Sequence, residues 1–286
     1  MLRKIRITLA SIFFVAITAL FLDFTGTLHT WLGWMAQIQF LPALLALNVV
    51  VVAVLILLTL LLGRVYCSII CPLGVMQDLF AWLGKKAKRN RYSYSPEKRW
   101  LRAGMLTLFV ISLCIGSGLI AHLLAPYSAY GRIAGNLLAP LYRWGNNGLA
   151  FLAERMGSYA FYEVEVWVRS GVTFAVALAT LAILAVLAWR GGRTYCNTIC
   201  PVGTVLGYIA RYAWLKPVIN TTKCNSCGLC ERNCKAACIN SKEKRIDYTR
   251  CVACMDCIGT CKKQGIKYMH RKAESKAAEP AAVDTS

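Results

Sequence analysis

The chain has 286 residues, of which 57% are hydrophobic and only 16% are charged. This composition is too apolar for an ordinary soluble domain, in which about 25% of residues are charged. The formal net charge is +20, but the lysines and arginines are confined to particular loops. That distribution is typical of membrane orientation and does not imply a nucleic-acid partner.

Four apolar runs are long enough to cross a bilayer, which requires about 20 residues. They occupy residues 5–22, 41–62, 103–124 and 171–189. No small-residue cleavage site follows the first run, so it is predicted to be an uncleaved anchor rather than a secretory signal. The sequence therefore predicts a helical membrane domain with four transmembrane helices, and the lipid bilayer as one partner.

The segments between these runs alternate in their content of lysine and arginine. Residues 1–6 carry three, residues 23–40 none, residues 63–102 nine, residues 125–168 three and residues 190–286 seventeen. Cytoplasmic loops of membrane proteins carry an excess of these residues. We therefore expect a multi-pass protein of the inner (cytoplasmic) membrane, with its N- and C-termini in the cytoplasm.

The second and fourth runs lead into the same motif, Gly-Arg-x-Tyr-Cys-x3-Cys-Pro-x-Gly, at residues 63–74 and 192–203. The repeat predicts two pseudosymmetric halves whose motifs meet at the cytoplasmic face. Cysteines four residues apart lie on one face of a helix, so Cys67, Cys71, Cys196 and Cys200 form a possible site for an additional cluster or another metal. Free structural thiols and a redox-active thiol pair remain alternatives.

The C-terminal segment contains eight cysteines in one spacing written twice. The pattern is Cys-x2-Cys-x2-Cys-x3-Cys, first at Cys224, Cys227, Cys230 and Cys234, then at Cys251, Cys254, Cys257 and Cys261. Bacterial ferredoxins use this run to hold two [4Fe–4S] clusters, and the fourth cysteine of each run ligates the other cluster. The rule assigns Cys224, Cys227, Cys230 and Cys261 to the first cluster, and Cys251, Cys254, Cys257 and Cys234 to the second.

Other uses of these thiols fit the pattern less well. Zinc ribbons use two separated cysteine pairs, and a disulfide framework needs an oxidising compartment. Two details depart from ferredoxins: Lys235 and Lys262 stand where proline usually follows the fourth cysteine, and Cys238 aligns with Gly265 of the second run. We expect Cys238 to be a small packing residue rather than a ligand.

The sequence thus divides into three parts. Residues 1–215 are predicted to form the transmembrane domain with two Cys-x3-Cys-Pro motifs. Residues 216–270 are predicted to form a cytoplasmic α+β module that resembles bacterial ferredoxins with two clusters. Residues 271–286 are rich in Ala, Glu and Lys without an apolar period, which predicts a disordered tail.

This combination of four spans, two Cys-x3-Cys-Pro motifs and a C-terminal pair of cysteine runs resembles the NapH-type membrane ferredoxins. The wider group includes the membrane core of NosR-type proteins. The resemblance implies electron transfer from membrane quinol through clusters, toward a respiratory reductase and by way of an iron–sulfur or haem partner subunit. The chain would then be a quinol dehydrogenase component or a non-catalytic carrier. No motif for haem or covalent flavin attachment is present in the sequence.

Two other functions remain open at this stage. One is a metal-handling or assembly factor for a respiratory metalloenzyme, similar to CcoG, in which the paired thiols carry copper. The other is a redox sensor. Quinol oxidation also needs a proton acceptor, for which His29 and His122 on the predicted outer side are weak candidates, since an interfacial polar role is the more usual one.

Overall fold

The computed structural model describes residues 2–87, 92–116, 118–157, 162–166 and 170–270. The predicted disordered tail, residues 271–286, lies outside the described residues. Those that are described are mostly helical, and a small module with short β-strands follows the helices.

The helices fall into two successive sets that each end at one copy of the repeated motif. The first set is α1 (Leu2–Leu22), α2 (Thr27–Leu32), α3 (Trp34–Gln37), α4 (Phe40–Leu45), α5 (Val49–Leu62), α6 (Val65–Ile69) and α7 (Pro72–Lys86). The second set is α8 (Arg99–Cys114), α9 (Gly118–Leu124), α10 (Pro126–Ile133), a π-helical turn (Ala134–Leu138), α11 (Ala139–Arg155), α12 (Gly171–Gly191), α13 (Thr194–Thr198) and α14 (Pro201–Ala210).

Two of these helices, α1 and α12, are long and apolar enough to cross a membrane. The second predicted span is interrupted, because Leu47 has a φ of 53° and the Asn48 side chain caps a new helix by accepting from the Val51 amide. The third is interrupted after α8, where Gly116 has a φ of 74°. The prediction of one continuous helix over each of these runs is therefore wrong.

Each motif folds into the same turn. Gly63 ends α5 with a φ of 72°, and Gly192 ends α12 with a φ of 67°. This left-handed conformation favours glycine, which has no Cβ. Each second cysteine is the N-cap of the next helix, and the proline after it takes the first helical position, where its missing N–H costs nothing.

The helical domain has one main apolar core, to which both sets of helices contribute. Helix α7 packs against α12, α10 and α1. The buried residues include Ile17, Leu73, Tyr130, Leu184 and Leu206, together with Tyr66, Cys67, Cys71, Tyr195 and Cys200 of the motifs. The motifs are thus part of this core rather than a surface loop.

The C-terminal module begins and ends with paired strands. Strand β1 (Leu215–Ile219) pairs antiparallel with β4 (Ile266–His270), in a register that places Leu215 opposite His270. Between them lie α15 (Leu229–Arg232), the short antiparallel pair β2 (Ile239–Asn240) and β3 (Arg245–Ile246), and α16 (Asp256–Thr260). The two cysteine runs form the loops and single helical turns between the strands.

Candidate functional site

The four cysteines assigned by sequence to the first cluster line one cavity. They are Cys224, Cys227, Cys230 and Cys261. The Cys227 side chain is exposed, whereas Cys230 is buried. This cavity therefore opens to solvent on the side of Cys227.

The four cysteines assigned to the second cluster line a separate, smaller cavity. Cys234, Cys251, Cys254 and Cys257 all border it, and three of them are buried. The fold thus places the fourth cysteine of each run beside the first three cysteines of the other run. Both donor sets suit a four-thiolate cluster in number and type, while ligation itself stays a prediction.

Cys238 is a fifth thiol in the second cavity. Its Sγ lies 3.5 Å from Cys234 Sγ, and this hydrogen bond lowers the pKa of Cys234 to about 7. The same thiol lowers the pKa of Cys251. At the equivalent place in the other run, the Gly265 amide donates to Cys261 Sγ at 3.2 Å. Cys238 therefore contacts the cavity as well as filling space.

The two repeated motifs meet in the core. Arg64 donates from Nη2 to the carbonyl of Cys196 at 3.2 Å, and Arg193 donates from Nη1 to the carbonyl of Cys67. Each motif arginine thus holds the first cysteine of the other motif, which is the reciprocity expected of a pseudo-twofold relation. Both arginine side chains are completely buried.

The final glycine of each motif allows this close approach. A Cβ on Gly74 would lie 2.2 Å from the carbonyl oxygen of Cys67 and 3.0 Å from Nη1 of Arg193. A Cβ on Gly203 would lie 2.2 Å from the carbonyl oxygen of Cys196. A side chain at either glycine would therefore displace the cysteine carbonyl that accepts from the arginine of the other motif.

All four motif thiols are buried, and donors surround them. Gln77 donates from Nε2 to Cys196 Sγ at 3.3 Å, and the Gly203 amide donates to Cys200 Sγ at 3.3 Å. Arg64 Nε and Arg193 Nη2 are buried without a hydrogen-bond partner. Unpaired buried donors beside four thiols fit a negatively charged group. Among the described residues, no three Cys, His, Asp or Glu side chains are arranged to hold a single metal ion.

Asp78 of α7 is the centre of a buried ion-pair network. Its carboxylate oxygens lie 2.7 Å from Arg193 Nε, 2.8 Å from Arg6 Nη1 and 3.1 Å from Lys235 Nζ. Burial raises the pKa of Asp78, but the positive charges of Arg193, Lys235 and Arg6 outweigh burial and hold the pKa well below its usual range. One carboxylate therefore joins α1, the second motif and the C-terminal module.

Lys235, which stands where ferredoxins usually have proline, is the link from the module to this network. Its ammonium group also lies 3.0 Å from Asp256 of α16. Its carbonyl accepts from the Arg193 amide at 2.7 Å, and the carbonyl of Ala236 accepts from Asn197 Nδ2 at 3.1 Å. The substitution of lysine for proline therefore serves the attachment of the module.

A second set of contacts joins the module to the first motif and to α8. Arg64 Nη1 donates to the carbonyl of Thr249 at 3.2 Å, and Arg102 Nη1 donates to Thr249 Oγ1 at 3.3 Å. Thr249 is two residues before Cys251, and Lys235 directly follows Cys234. Both attachment points are therefore close in sequence to cysteines that line the second cavity. The second cavity is thus the one that adjoins the helical domain, and the first cavity is farther from it.

A groove lies between α1, α7 and the module. Its apolar walls include Ile7 and Leu79, and Trp82 stands at its side. Its charged end includes Asp78, Lys235 and Asp256, together with Arg3 and Arg6. The groove therefore has both apolar and charged surfaces, next to the residues that flank Cys234 and Cys257.

The structure does not bring the two candidate histidines to this site. His29 is exposed, and its amide donates to Asp23 at 3.1 Å. His122 is exposed, and its ring lies 3.4 Å from Ser128 Oγ. Neither lines the groove or the cysteine cavities. Their role in quinol oxidation remains an untested expectation.

Sequence reasoning gave no role to the side chains that organise the site. They are Arg64, Arg193, Asp78 and the completely buried Gln39, whose Nε2 donates to the carbonyl of Ile70 at 3.3 Å and whose Oε1 accepts from Tyr66. The signal available was the arginine that recurs in both motifs. A lone Asp in an apolar helix next to a motif was a second signal.

Comparison with known proteins relates the segments that contain the two motifs to a protein family. The 4Fe-4S binding domain family matches residues 44–91 and 173–221, so each match contains one Cys-x3-Cys-Pro motif. The chain is 25% identical over 230 residues to YccM of Escherichia coli, which is named as an electron transport protein; the match covers 77% of this chain and 55% of YccM. It is 25% identical over 236 residues to the ferredoxin-type protein NapH of Haemophilus influenzae, covering 79% of this chain and 69% of NapH.

A shorter match has higher identity. The chain is 37% identical over 99 residues to an uncharacterized protein of Methanocaldococcus jannaschii, covering 35% of this chain and 39% of that protein. For this protein and for YccM, the chain spans less than two thirds of the relative's length. No solved structure matches the chain.

Proposed function

The chain belongs to the family of NapH-type membrane ferredoxins, and we propose that it carries electrons through iron–sulfur clusters from the membrane quinol pool toward a respiratory reductase system. One observation carries the proposal. The module has two cavities, one lined by four cysteines and the other by five, and the contacts of Lys235 and Thr249 join the second cavity to the repeated motifs. A chain of one-electron carriers needs this arrangement.

The first cluster is proposed to bind Cys224, Cys227, Cys230 and Cys261, and the second Cys251, Cys254, Cys257 and Cys234. Each set provides the four thiolates that a cubane cluster requires. Bound clusters would supply one-electron redox chemistry. The protein's part is to hold the thiolates, to exclude water from the second cavity and to leave the first accessible.

A third cluster is proposed at Cys67, Cys71, Cys196 and Cys200. The 4Fe-4S binding domain family matches the segments that contain these cysteines. The unpaired nitrogens of Arg64 and Arg193 supply positive charge beside the thiols, which would offset the negative charge of a thiolate-ligated cluster.

The groove between α1, α7 and the module supports a quinol donor. A quinol has an apolar tail and a polar head, and the groove offers apolar walls and a charged end. Arg6 and Lys235 would orient the head through their donors. Oxidation of a quinol to a quinone releases two electrons and two protons, and the protons would leave to the water at the open side of the groove.

The same proposal includes the orientation of the chain in the membrane. We propose that α1 and α12, together with the interrupted segments α4–α5 and α8–α9, cross the inner membrane, and that both termini face the cytoplasm. The loop charges support this orientation, because the regions with the most lysine and arginine flank the motifs and the module. An iron–sulfur or haem protein would be the electron-transfer partner.

A metal-handling role remains the second candidate. The paired, buried thiols of the two motifs are the feature that favours it, since soft thiolates bind Cu(I). Copper bound stoichiometrically to the purified protein, and lost in the Cys67→Ser variant, would support that function over electron transfer.

The first test is anaerobic purification in detergent, with iron and sulfide counts and EPR spectra before and after addition of a quinol. Two clusters require about eight iron atoms per chain, and three require about twelve. We expect cluster signals that appear when quinol is added. Clusters that are present but unchanged by quinol would contradict the quinol proposal.

Cys227→Ala tests the ligand assignment. We expect the variant to insert in the membrane and to lose about four iron atoms per chain, because one cluster loses a ligand at its exposed edge. Cys114→Ala is the matched control, since Cys114 is an exposed thiol outside the three proposed sites. An unchanged iron count in Cys227→Ala would show that the assignment is wrong.

A further inference from the structure

The two lysines that replace the ferredoxin proline have different surroundings. Lys235 is held between Asp78 and Asp256 inside the protein. Lys262 is exposed and lines the first cavity, together with Lys223 and Lys263. Attachment of the module therefore explains the presence of Lys235, but it does not explain the presence of Lys262.

The three lysines surround the most accessible part of the site. The cavity that they line contains the exposed Cys227. Within the described part of the chain, none of their ammonium groups forms an ion pair, and no acidic side chain lines this cavity. Three uncompensated positive charges therefore stand at the edge of the cavity where a cluster would be nearest to solvent.

This edge is free of the helical domain. Hydrogen bonds attach the module to the helical domain at Lys235, Ala236 and Thr249 beside the second cavity, and also at Glu231, Asn233, Ala237 and Tyr268, none of which lines the first cavity. No hydrogen bond or ion pair among the described residues joins the lining of the first cavity to residues 2–210. The lysines thus belong to a cavity whose lining forms no hydrogen bond or ion pair with the described residues of the helical domain.

We propose that Lys223, Lys262 and Lys263, which we call the lysine rim, form the docking surface for an acidic, water-soluble one-electron carrier protein. The inference rests on the proposed electron-transfer function and names the class of partner. A positive surface steers an acidic partner to the exposed cavity and fixes its orientation there. Such encounters are weak and depend on salt, as rapid exchange between carriers requires.

The test uses the full cluster-loaded chain in nanodiscs and a flavodoxin, a small acidic one-electron carrier, as the probe. Binding is measured by biolayer interferometry at low and high salt, and carbodiimide cross-linking maps which lysines meet the carboxylates of flavodoxin. The variant is Lys223→Gln/Lys262→Gln/Lys263→Gln. Its control is Lys4→Gln/Lys86→Gln/Lys98→Gln, which removes three exposed lysines outside the cavity.

We expect the rim variant to bind flavodoxin at least about tenfold more weakly at low salt, with little difference from the wild type at high salt. Cross-links should reach Lys262 or Lys263, and the control should bind like the wild type. Equal binding by the two variants would overturn the proposal. So would protection of the rim lysines from acetylation by nanodiscs of anionic lipid but not of neutral lipid, since it would identify lipid headgroups as the occupant.

The binding readout separates this inference from the proposed function. Iron content is measured on each variant, so that weaker flavodoxin binding caused by loss of clusters is recognised. Reduction by quinol is measured without flavodoxin. A protein that fails to react with quinol yet binds flavodoxin through the rim would contradict the quinol proposal and support the lysine rim.

Discussion

Asp78→Asn should destabilise the protein by about 3–5 kcal/mol, because it leaves buried cations without their carboxylate. Arg193 is completely buried and Arg6 nearly so, and both depend on Asp78, as does Lys235. Asparagine keeps the size of the side chain but removes the charge. We expect a lower midpoint of thermal unfolding in detergent and earlier loss of iron, since Lys235 adjoins Cys234.

Asp23→Asn is the matched control. Asp23 accepts hydrogen bonds from the amides of Thr25 and Gly26 at Oδ1 and from the amide of His29 at Oδ2, so asparagine can keep the first two and loses at most one exposed hydrogen bond. No ion pair to Asp23 is present among the described residues. We expect a change within about 0.5 kcal/mol. Equal melting of the two variants would show that the Asp78 network does not hold the module.

The effect of pH gives a second check of the same network. The pKa of Asp78 is held well below its usual range in the folded protein, so its contribution to stability is present above the unfolded-state pKa of about 3.9 and is lost as the pH falls below it. The difference in stability between wild type and Asp78→Asn should therefore be constant from about pH 8 to about pH 5. It should narrow only below about pH 4.

The cysteine spacing predicts more of the site than of the helical fold. The spacing places three thiols of a run in one loop, and the crossed fourth ligand follows from the ferredoxin rule. The structure accordingly brings Cys261 to the first cavity and Cys234 to the second. The repeated motif likewise predicts that the halves meet, and the reciprocal contacts of Arg64 and Arg193 join them.

The interrupted helices were not predictable from hydropathy, because an average over about 20 residues does not register a single break. Asn48 and Gly116 end or begin helices through capping and a left-handed turn, which are local events. The attachment of the module was also hidden. It depends on Asp78, Lys235 and Asp256, which are far apart in sequence and carry no spacing signal.

The different surroundings of Lys235 and Lys262 were likewise not predictable from the sequence. Their positions in the two runs are equivalent, so the sequence alone does not distinguish them. In the structure, one side chain is inside a network that contains α1 and α7, while the other faces solvent. Only the attachment of the module to the helical domain distinguishes the two lysines, because the helical domain contacts the run that contains Lys235 and leaves Lys262 exposed.

The repeat offers a second pair of equivalent positions with different surroundings, Gly192 and Gly63. Both have a positive φ, so alanine at either costs about 1–2 kcal/mol in backbone strain. A Cβ on Gly192 would lie 2.3 Å from the carbonyl oxygen of Lys235, whereas a Cβ on Gly63 would meet nothing closer than Ala253 Cβ at 3.9 Å. The same substitution therefore has different consequences in the two motifs.

Gly192→Ala should be the more damaging variant by a wide margin. It adds overpacking of about 1–3 kcal/mol and the loss of the Arg193-to-Lys235 backbone hydrogen bond, worth about 1 kcal/mol, for a total of about 3–6 kcal/mol. The carbonyl of Lys235 cannot yield without moving the loop that carries Cys234. We therefore expect iron loss from the second cavity along with a lower unfolding midpoint.

Gly63→Ala is the control, because it shares the strain and lacks the clash. The thermal unfolding midpoint and the iron content are measured for both variants, purified in the same detergent. The two measurements separate the effect of backbone strain from the effect of the clash with Lys235. If Gly63→Ala lost as much stability and iron as Gly192→Ala, backbone strain alone would explain both. The module would then be held chiefly by the contacts of Arg64 and Arg102 with Thr249, at the first motif, rather than by Lys235 at the second.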